Sequence, residues 1–137
     1  MGRILAIDYG TKRTGIAVTD PLKIIATSLT TVETYNLLKY ITDYISKENV
    51  ELIVIGVPKT LKGEFSENEK NILPFIKKLK QNLPQIPIER FDERFTSSMA
   101  KNTLIDAGYR KKQRQNKKLL DSVAATIILQ GYLLSVQ

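Results

Sequence analysis

The stretch that decides the fold is RILAIDYGTKRTGIAVT, from Arg3 to Thr19. A short apolar run precedes Asp8, turn residues and a permissive glycine follow it, and a second run rich in β-branched residues begins at Gly15. The pattern predicts a β-hairpin with Asp8 at the end of its first strand, on rigid backbone that still reaches solvent. An alternative role for Asp8 stays open from these residues alone: an Asx-turn, in which its side chain accepts hydrogen bonds from amides of the loop.

Length and composition limit the classes of function that remain. The 137 residues are the size of one domain, and we expect a single domain over 1–137. The chain has no cysteine and no histidine, which excludes disulfides, thiolate metal sites and an imidazole base. Any catalysis must therefore use carboxylates, hydroxyls, lysines or metals that prefer oxygen ligands.

The sequence shows no apolar run near the roughly 20 residues of a membrane span. Its N-terminus also lacks the pattern of a secretory signal. We therefore expect a cytoplasmic protein without a membrane partner.

The positive charge is concentrated in one place. Lys and Arg total 21 against 14 acidic residues, and six of the seven net charges lie in a basic segment with no acid. Its members are Arg110, Lys111, Lys112, Arg114, Lys117 and Lys118. Such a local patch on a nearly neutral domain predicts contact with a polyanion at a particular place, although a solvated basic loop is the simpler alternative.

The remaining strands and helices follow in an order typical of a layered α/β domain. Three further strands are predicted at 24–31, 52–56 and 88–91, and the strand at 52–56 has the continuous apolar character of a buried parallel strand. The resulting fold is a five-stranded mixed sheet, with three antiparallel strands followed by two parallel ones, flanked by helices. This arrangement resembles the ribonuclease H fold.

Capping residues predict where the helices begin. Thr34 is a plausible N-cap for a helix through Ile45, and Ser66 with Glu69 matches a capping box for the next, which Pro74 interrupts. A third helix starts at Thr96 or Ser97 and closes at Gly108. The final helix runs from about residue 117 to 133, with an apolar face formed by Leu120, Val123, Ala124, Ile127, Ile128 and Leu134.

Three acids are predicted to meet at one end of this sheet. Asp8 ends the first strand, Glu93 follows the fifth, and Asp121 lies in the early turns of the last helix. Converging carboxylates repel each other unless a cation neutralises them, and oxygen ligands favour Mg²⁺ or Mn²⁺. Each acid also has a simpler explanation: Glu93 or the adjacent Asp92 pairs with a neighbouring arginine, and Asp121 is a favourable charge near a helix N-terminus.

The basic segment supports the functional interpretation of these acids. Lys117 and Lys118 stand at the start of a helix, where cations oppose the macrodipole. Contact with phosphate would explain their position.

Four ordered motifs now suggest a family. They are DYGTKRTGIA at 8–17, VIGVP at 54–58, FDERFTS at 91–97 and DSVAATIILQ at 121–130. Together they resemble the YqgF (RuvX) family of ribonuclease H-like proteins related to the Holliday-junction resolvase RuvC, over essentially the whole chain. The resemblance implies a cytoplasmic metal-dependent nuclease that matures the 5′ end of pre-16S rRNA or acts on Holliday junctions. The family's acidic triad falls on Asp8, Glu93 and Asp121, whereas a second acid found on the last helix of RuvC has no counterpart downstream of Asp121.

The mechanistic hypothesis is phosphodiester hydrolysis at a two-metal site. Asp8 bridges the ions, Glu93 and Asp121 complete the coordination, and water attacks in line. Lys12 and Arg94 steady the scissile phosphate while the basic segment holds flanking backbone without recognising bases. The substrate stays open between structured RNA such as pre-16S rRNA, free or within ribosomal particles, and branched DNA.

Two rival classes remain at this point. Actin-like and Hsp70-like ATPases share a D-x-G-T phosphate loop but need two lobes of this fold, and tight ATP binding would favour them. A non-catalytic RNA-binding or ribosome-binding module is the other. Oligomeric state is open.

Overall fold

A computed structural model describes residues 2–58, 66–92 and 117–136, with residues 117–121 described by their backbone. The five strands are β1 (Arg3–Asp8), β2 (Arg13–Thr19), β3 (Ala26–Glu33), β4 (Val50–Val57) and β5 (Ile88–Asp92). The helices are α1 (Leu37–Lys47), α2 (Glu69–Asn82) and α3 (Lys117–Ser135), and one 3₁₀ turn spans Thr34–Asn36. The predicted helix between residues 96 and 108 lies outside the described residues.

The strands form one mixed sheet in the order β3-β2-β1-β4-β5. β1 to β3 are antiparallel neighbours, while β4 runs parallel to β1 and β5 runs parallel to β4. The predicted hairpin and mixed sheet are therefore confirmed. Since β1, β4 and β5 run in one direction, their last residues, Asp8, Val57 and Asp92, lie along one side of the sheet, which we call the carboxyl edge.

Side chains of β1 alternate between two apolar layers. Leu5 and Ile7 pack in the cluster that contains residues of α1 and α2, while Ile4 and Ala6 pack against α3. Successive strand residues point to opposite faces. By this alternation, Asp8 belongs to the face of the sheet that α3 covers.

Helix α3 covers the face that carries Ile4 and Ala6. Ala125 is completely buried in the cluster on the sheet, where its small size lets the helix approach closely, whereas the buried Ala124 belongs to a separate cluster with Ile127. Leu134, predicted on the apolar face, is 71% exposed instead, and Leu129 and Leu133 are buried. The prediction for Leu134 was wrong because it extended the line of Val123, Ala124 and Ile127 along the helix. These three residues form a cluster separate from the one that packs on the sheet.

The third strand begins two residues later than predicted. The Asp20 carboxylate accepts hydrogen bonds from the amides of Leu22, Ile24 and Ile25 at 3.1, 2.8 and 2.8 Å. Lys23 adopts a left-handed conformation with a φ of 60°. These bonds hold residues 20–25 in a loop, so β3 starts at Ala26.

The two predicted helix caps were also wrong. Neither Thr34 nor Ser66 makes a side-chain cap: α1 starts after the 3₁₀ turn, and α2 starts at Glu69 without a side-chain cap from Asn68. The Thr34 hydroxyl and the Glu69 carboxylate bind distant groups instead, at Gly10 and Arg90. Pro74 lies inside α2, which continues through it.

Candidate active site

Asp8 is the predicted site residue that the structure describes most fully. It is the last residue of β1, half-buried, and paired with Gly15 of β2 in the register of the hairpin. The preceding Ile7 is completely buried. The carboxylate therefore projects from immobile backbone at the carboxyl edge.

A closed ring of hydrogen bonds holds the loop that follows Asp8. The Gly10 amide donates to Thr14 Oγ1 at 3.4 Å, the two threonine hydroxyls of Thr14 and Thr34 lie 2.9 Å apart, and the Thr34 hydroxyl donates to the Gly10 carbonyl at 2.6 Å. Because the Thr34 proton is used on Gly10, Thr14 is the donor between the hydroxyls. Each bond polarises the next, and the ring holds Gly10 through both its N–H and its carbonyl group.

Two further features hold the same loop. Asn68, just before α2, donates its amide to the Tyr9 carbonyl at 2.8 Å, and the Tyr9 ring packs against Phe75 with ring centroids 5.3 Å apart. Burial raises the pKa of Tyr9, so the ring stays neutral in its apolar contact. Gly10 leaves no room for a side chain, because a Cβ there would lie 2.2 Å from the Arg13 carbonyl oxygen.

Arg90 links β4, β5 and α2 immediately behind the carboxyl edge. Its guanidinium binds both carboxylate oxygens of Glu69, at 3.0 and 2.6 Å, and donates to the carbonyls of Ile55 and Gly56 at 3.2 and 3.1 Å. The sequence suggested Arg90 only as a partner for a neighbouring acid of its own strand. Its pairing with Glu69 had no sequence signal, because the two residues are 21 positions apart.

Strand β5 presents its alternate residues to α3. Glu89 accepts a hydrogen bond from the Tyr132 hydroxyl, and together with burial this contact raises the pKa of Tyr132 to about 12. Phe91 lies so close to Gly131 that an added Cβ would be 2.8 Å from its ring. Residues 89 and 91 thus face α3, as do Ile4 and Ala6 of β1.

Helix α3 crosses the sheet in the direction that brings its first turns toward the carboxyl edge. Near its C-terminal end, Leu133 and Leu134 line a cavity with Ala26, at the start of β3, which pairs with Thr19 at the end of β2. This pair lies at the end of the sheet opposite to Asp8 and the carboxyl edge. A 19-residue helix is about 28 Å long, so its N-terminal turns extend back across the sheet.

The other predicted site residues are described only in part. Lys12 is exposed in the hairpin loop, and Asp121, Lys117 and Lys118 lie in α3, where their backbone alone is described. Glu93, Arg94, Arg110, Lys111, Lys112 and Arg114 lie outside the described residues. Within the described part of the chain no group of three potential metal ligands occurs, and no helix there is long and apolar enough to span a bilayer.

Comparison with known proteins agrees with this architecture. A family profile described as "RuvX: Holliday junction resolvase" matches residues 2–135. The chain belongs to the RuvX family. Among its relatives, a Bacteroides fragilis protein named "Putative pre-16S rRNA nuclease" is 59% identical over 133 residues, which cover 97% of this chain and 96% of the relative. A protein of the same name from Bacteroides thetaiotaomicron is 58% identical over the same shares of each chain. This RuvX member therefore belongs among nucleases, as the four motifs predicted.

Solved structures confirm the fold. RuvC from T. thermophilus, in complex with a Holliday junction substrate, superposes with a TM-score of 0.59 over 99% of this chain and 96% of the other, at 14% identity. That likeness establishes the ribonuclease H-like α/β fold of the RuvX chain.

Proposed function

We propose that this RuvX protein is a metal-dependent nuclease that hydrolyses a phosphodiester bond at the carboxyl edge, with pre-16S rRNA as its substrate. The observation that carries the proposal is the position of Asp8. It is a half-buried carboxylate at the end of a central strand, and the ring of Thr14, Thr34 and Gly10 holds the loop beside it. Catalytic groups need this kind of fixed geometry, held by supporting hydrogen bonds.

Glu93 is the second proposed ligand because of the alternation along β5. Glu89 and Phe91 both contact α3. Residue 93 is the next position of the same parity, so we expect it on the face to which Asp8 also belongs. The end of β5 is separated from β1 only by β4.

Asp121 is the third proposed ligand because of its place in α3. It precedes the completely buried Ala125 by four residues, about one helical turn, and it lies in the turns that extend toward the carboxyl edge. A divalent ion fits this donor set, since all three groups are carboxylates and the chain has no thiol or imidazole. When bound, Mg²⁺ or Mn²⁺ would neutralise phosphate charge and make water a better nucleophile.

The protein's own cations would position the substrate. We propose that Lys12 and Arg94 contact the scissile phosphate, and that Arg110, Lys111, Lys112, Arg114, Lys117 and Lys118 hold flanking backbone. Lys12 is exposed in the loop just after Asp8, where a phosphate at the carboxylate would be within reach of a long side chain. Phosphate contacts of this kind would bind without discriminating sequence.

The names of the relatives favour pre-16S rRNA. We therefore propose that the protein acts in the cytoplasm, on ribosomal precursors. The family description and the RuvC likeness support a second candidate, the resolution of four-way DNA junctions.

The experiment compares wild type with Asp8→Asn on RNA that spans the 5′ end of 16S rRNA and on a four-way DNA junction, each with Mg²⁺ and with EDTA. We expect Mg²⁺-dependent cleavage of the RNA by wild type and none by Asp8→Asn. Asp43→Asn is the matched control, because Asp43 is an exposed carboxylate on α1.

The outcomes separate the candidates. Cleavage in EDTA, or full activity of Asp8→Asn, would refute the metal-dependent mechanism. Cleavage of the junction alone would replace the rRNA assignment with the second candidate, and equal binding by both proteins without any cleavage would indicate a non-catalytic module.

A further inference from the structure

Another surface lies beside the loop that follows Asp8, on the face of the sheet that α3 does not cover. Two adjoining cavities of about 440 and 410 Å³ share Thr11 and Tyr35. Together they form a groove, here called the tip groove, whose walls come from the hairpin loop, the 3₁₀ turn and α2. Its lining includes Tyr9, Thr11, Lys12, Tyr35, Phe75 and Lys78.

Tyr35 is the most unusual residue of the tip groove. Its side chain is 81% exposed, the largest exposure of any large hydrophobic residue in the described chain. The backbone around it is nevertheless fixed, because the amide of Thr34 donates to the Lys12 carbonyl at 2.9 Å. Glu33 accepts a hydrogen bond from the Tyr35 hydroxyl, which further orients the ring.

The groove carries a positive balance of charge. Lys12 and Lys78 are exposed and line its two cavities. The remaining charged pair, Arg13 and Glu33, lie opposite each other in the β2–β3 register, so their charges offset. An exposed aromatic ring between two lysines is the combination with which proteins bind single-stranded nucleic acid.

The floor of the groove is rigid and begins next to the catalytic carboxylate. Tyr9 follows Asp8 directly, packs on Phe75, and is held by Asn68 through its carbonyl. Nucleic acid with its scissile phosphate at Asp8 could therefore continue into the groove.

We propose that the tip groove binds unpaired nucleotides of the substrate on one side of the cleavage point. A base stacks on Tyr35, and backbone phosphates contact Lys12 and Lys78. The proposal rests on the nuclease function, but it adds a substrate requirement: a single-stranded flank, which duplex cannot supply.

The test measures binding, so it does not depend on cleavage. Fluorescence anisotropy is recorded with a labelled oligouridylate and with an RNA duplex of the same length, both in EDTA. Tyr35→Ala should weaken binding of the single strand by about 5- to 150-fold, the range for loss of one stacking platform, while Tyr35→Phe binds like wild type and duplex binding does not change.

A lysine pair of α2 tests the charge contribution. Lys78→Ala should lower the salt dependence of single-strand binding by about 0.7 in the slope of log K against log salt, the value for one phosphate contact. Lys80→Ala removes an exposed lysine of the same helix that does not line the groove, and it should leave the slope unchanged.

Tyr35→Ala binding within about twofold of wild type, or equal slopes for the two lysine variants, would overturn the proposal. Circular dichroism of each variant establishes that it is folded. If wild type binds the single strand through Tyr35 but cleaves neither RNA nor DNA, the nuclease function fails and the groove assignment stands. If wild type cleaves but Tyr35→Ala binds normally, only the groove assignment fails.

Discussion

Replacing Thr34 by valine tests whether the hydroxyl ring stabilises the loop after Asp8. Valine keeps the shape of threonine but removes the hydroxyl, which makes hydrogen bonds of 2.6 Å to the Gly10 carbonyl and 2.9 Å to Thr14. Each lost bond costs about 1 kcal/mol net, and Thr14 is completely buried, so its hydroxyl would be left without that acceptor. The expected loss of unfolding free energy is about 2 to 3 kcal/mol.

Urea unfolding followed by circular dichroism measures this loss. With a slope of about 1 to 3 kcal/mol per molar, the midpoint should fall by roughly 0.7 to 3 M. Thr34→Ser keeps the hydroxyl and should lose much less. Thr42→Val is the matched control, because the exposed Thr42 hydroxyl bonds only within α1, to the Leu38 carbonyl, and its removal should cost less than about 0.5 kcal/mol. A Thr34→Val midpoint as high as that of Thr42→Val would show that the ring does not contribute.

Three further predictions concern the same framework. Gly10→Ala should lower the melting temperature and the nuclease activity together, since the new Cβ would collide with the Arg13 carbonyl oxygen; unchanged melting would refute the close approach. Arg90→Met should cost about 3 kcal/mol in urea unfolding, because it leaves the Glu69 carboxylate, 12% exposed, without its partner, and a second change, Glu69→Met, should recover part of the loss. Tyr132 has a pKa raised to about 12, so its neutral form stabilises the fold below its ordinary pKa of about 10, and that contribution is lost as pH rises toward 12. Wild type should therefore lose more stability than Tyr132→Phe over this alkaline range, and equal losses would contradict the assignment.

The sheet could be predicted because its signals are local. Each of the five strands is a short β-rich run bounded by turn residues, and the structure places all five close to the predicted positions. The buried run at 52–56 predicted a parallel strand, and β4 lies parallel to both β1 and β5.

The start of α3 at Lys117 was predicted correctly, but the starts of α1 and α2 were not, because distant contacts compete for their capping residues. A threonine before a helix is a good N-cap, yet the Thr34 hydroxyl binds Gly10, which is 24 positions away. Glu69 fits a capping box, yet its carboxylate binds a guanidinium from β5. No local pattern contains these partners.

The candidate site also has a part that local sequence signals predicted and a part that they did not. The position of Asp8 at the end of β1 followed from the hairpin pattern and is confirmed. The ring beside it joins Thr14 of β2 to Thr34 of the 3₁₀ turn and had no sequence signal. The meeting of Asp8 with Glu93 and Asp121 stays a prediction.

The order of elements along the chain has a consequence for synthesis on the ribosome. In the described structure, α3 alone supplies the helical cover for the cluster of Ile4, Ala6 and Val54, and it follows all five strands. At about 5 to 20 residues per second, the roughly 40 residues after β5 take about 2 to 8 s to emerge. Throughout that interval the nascent sheet displays a bare apolar face, so the newly made chain should be a client for chaperones until its last helix docks.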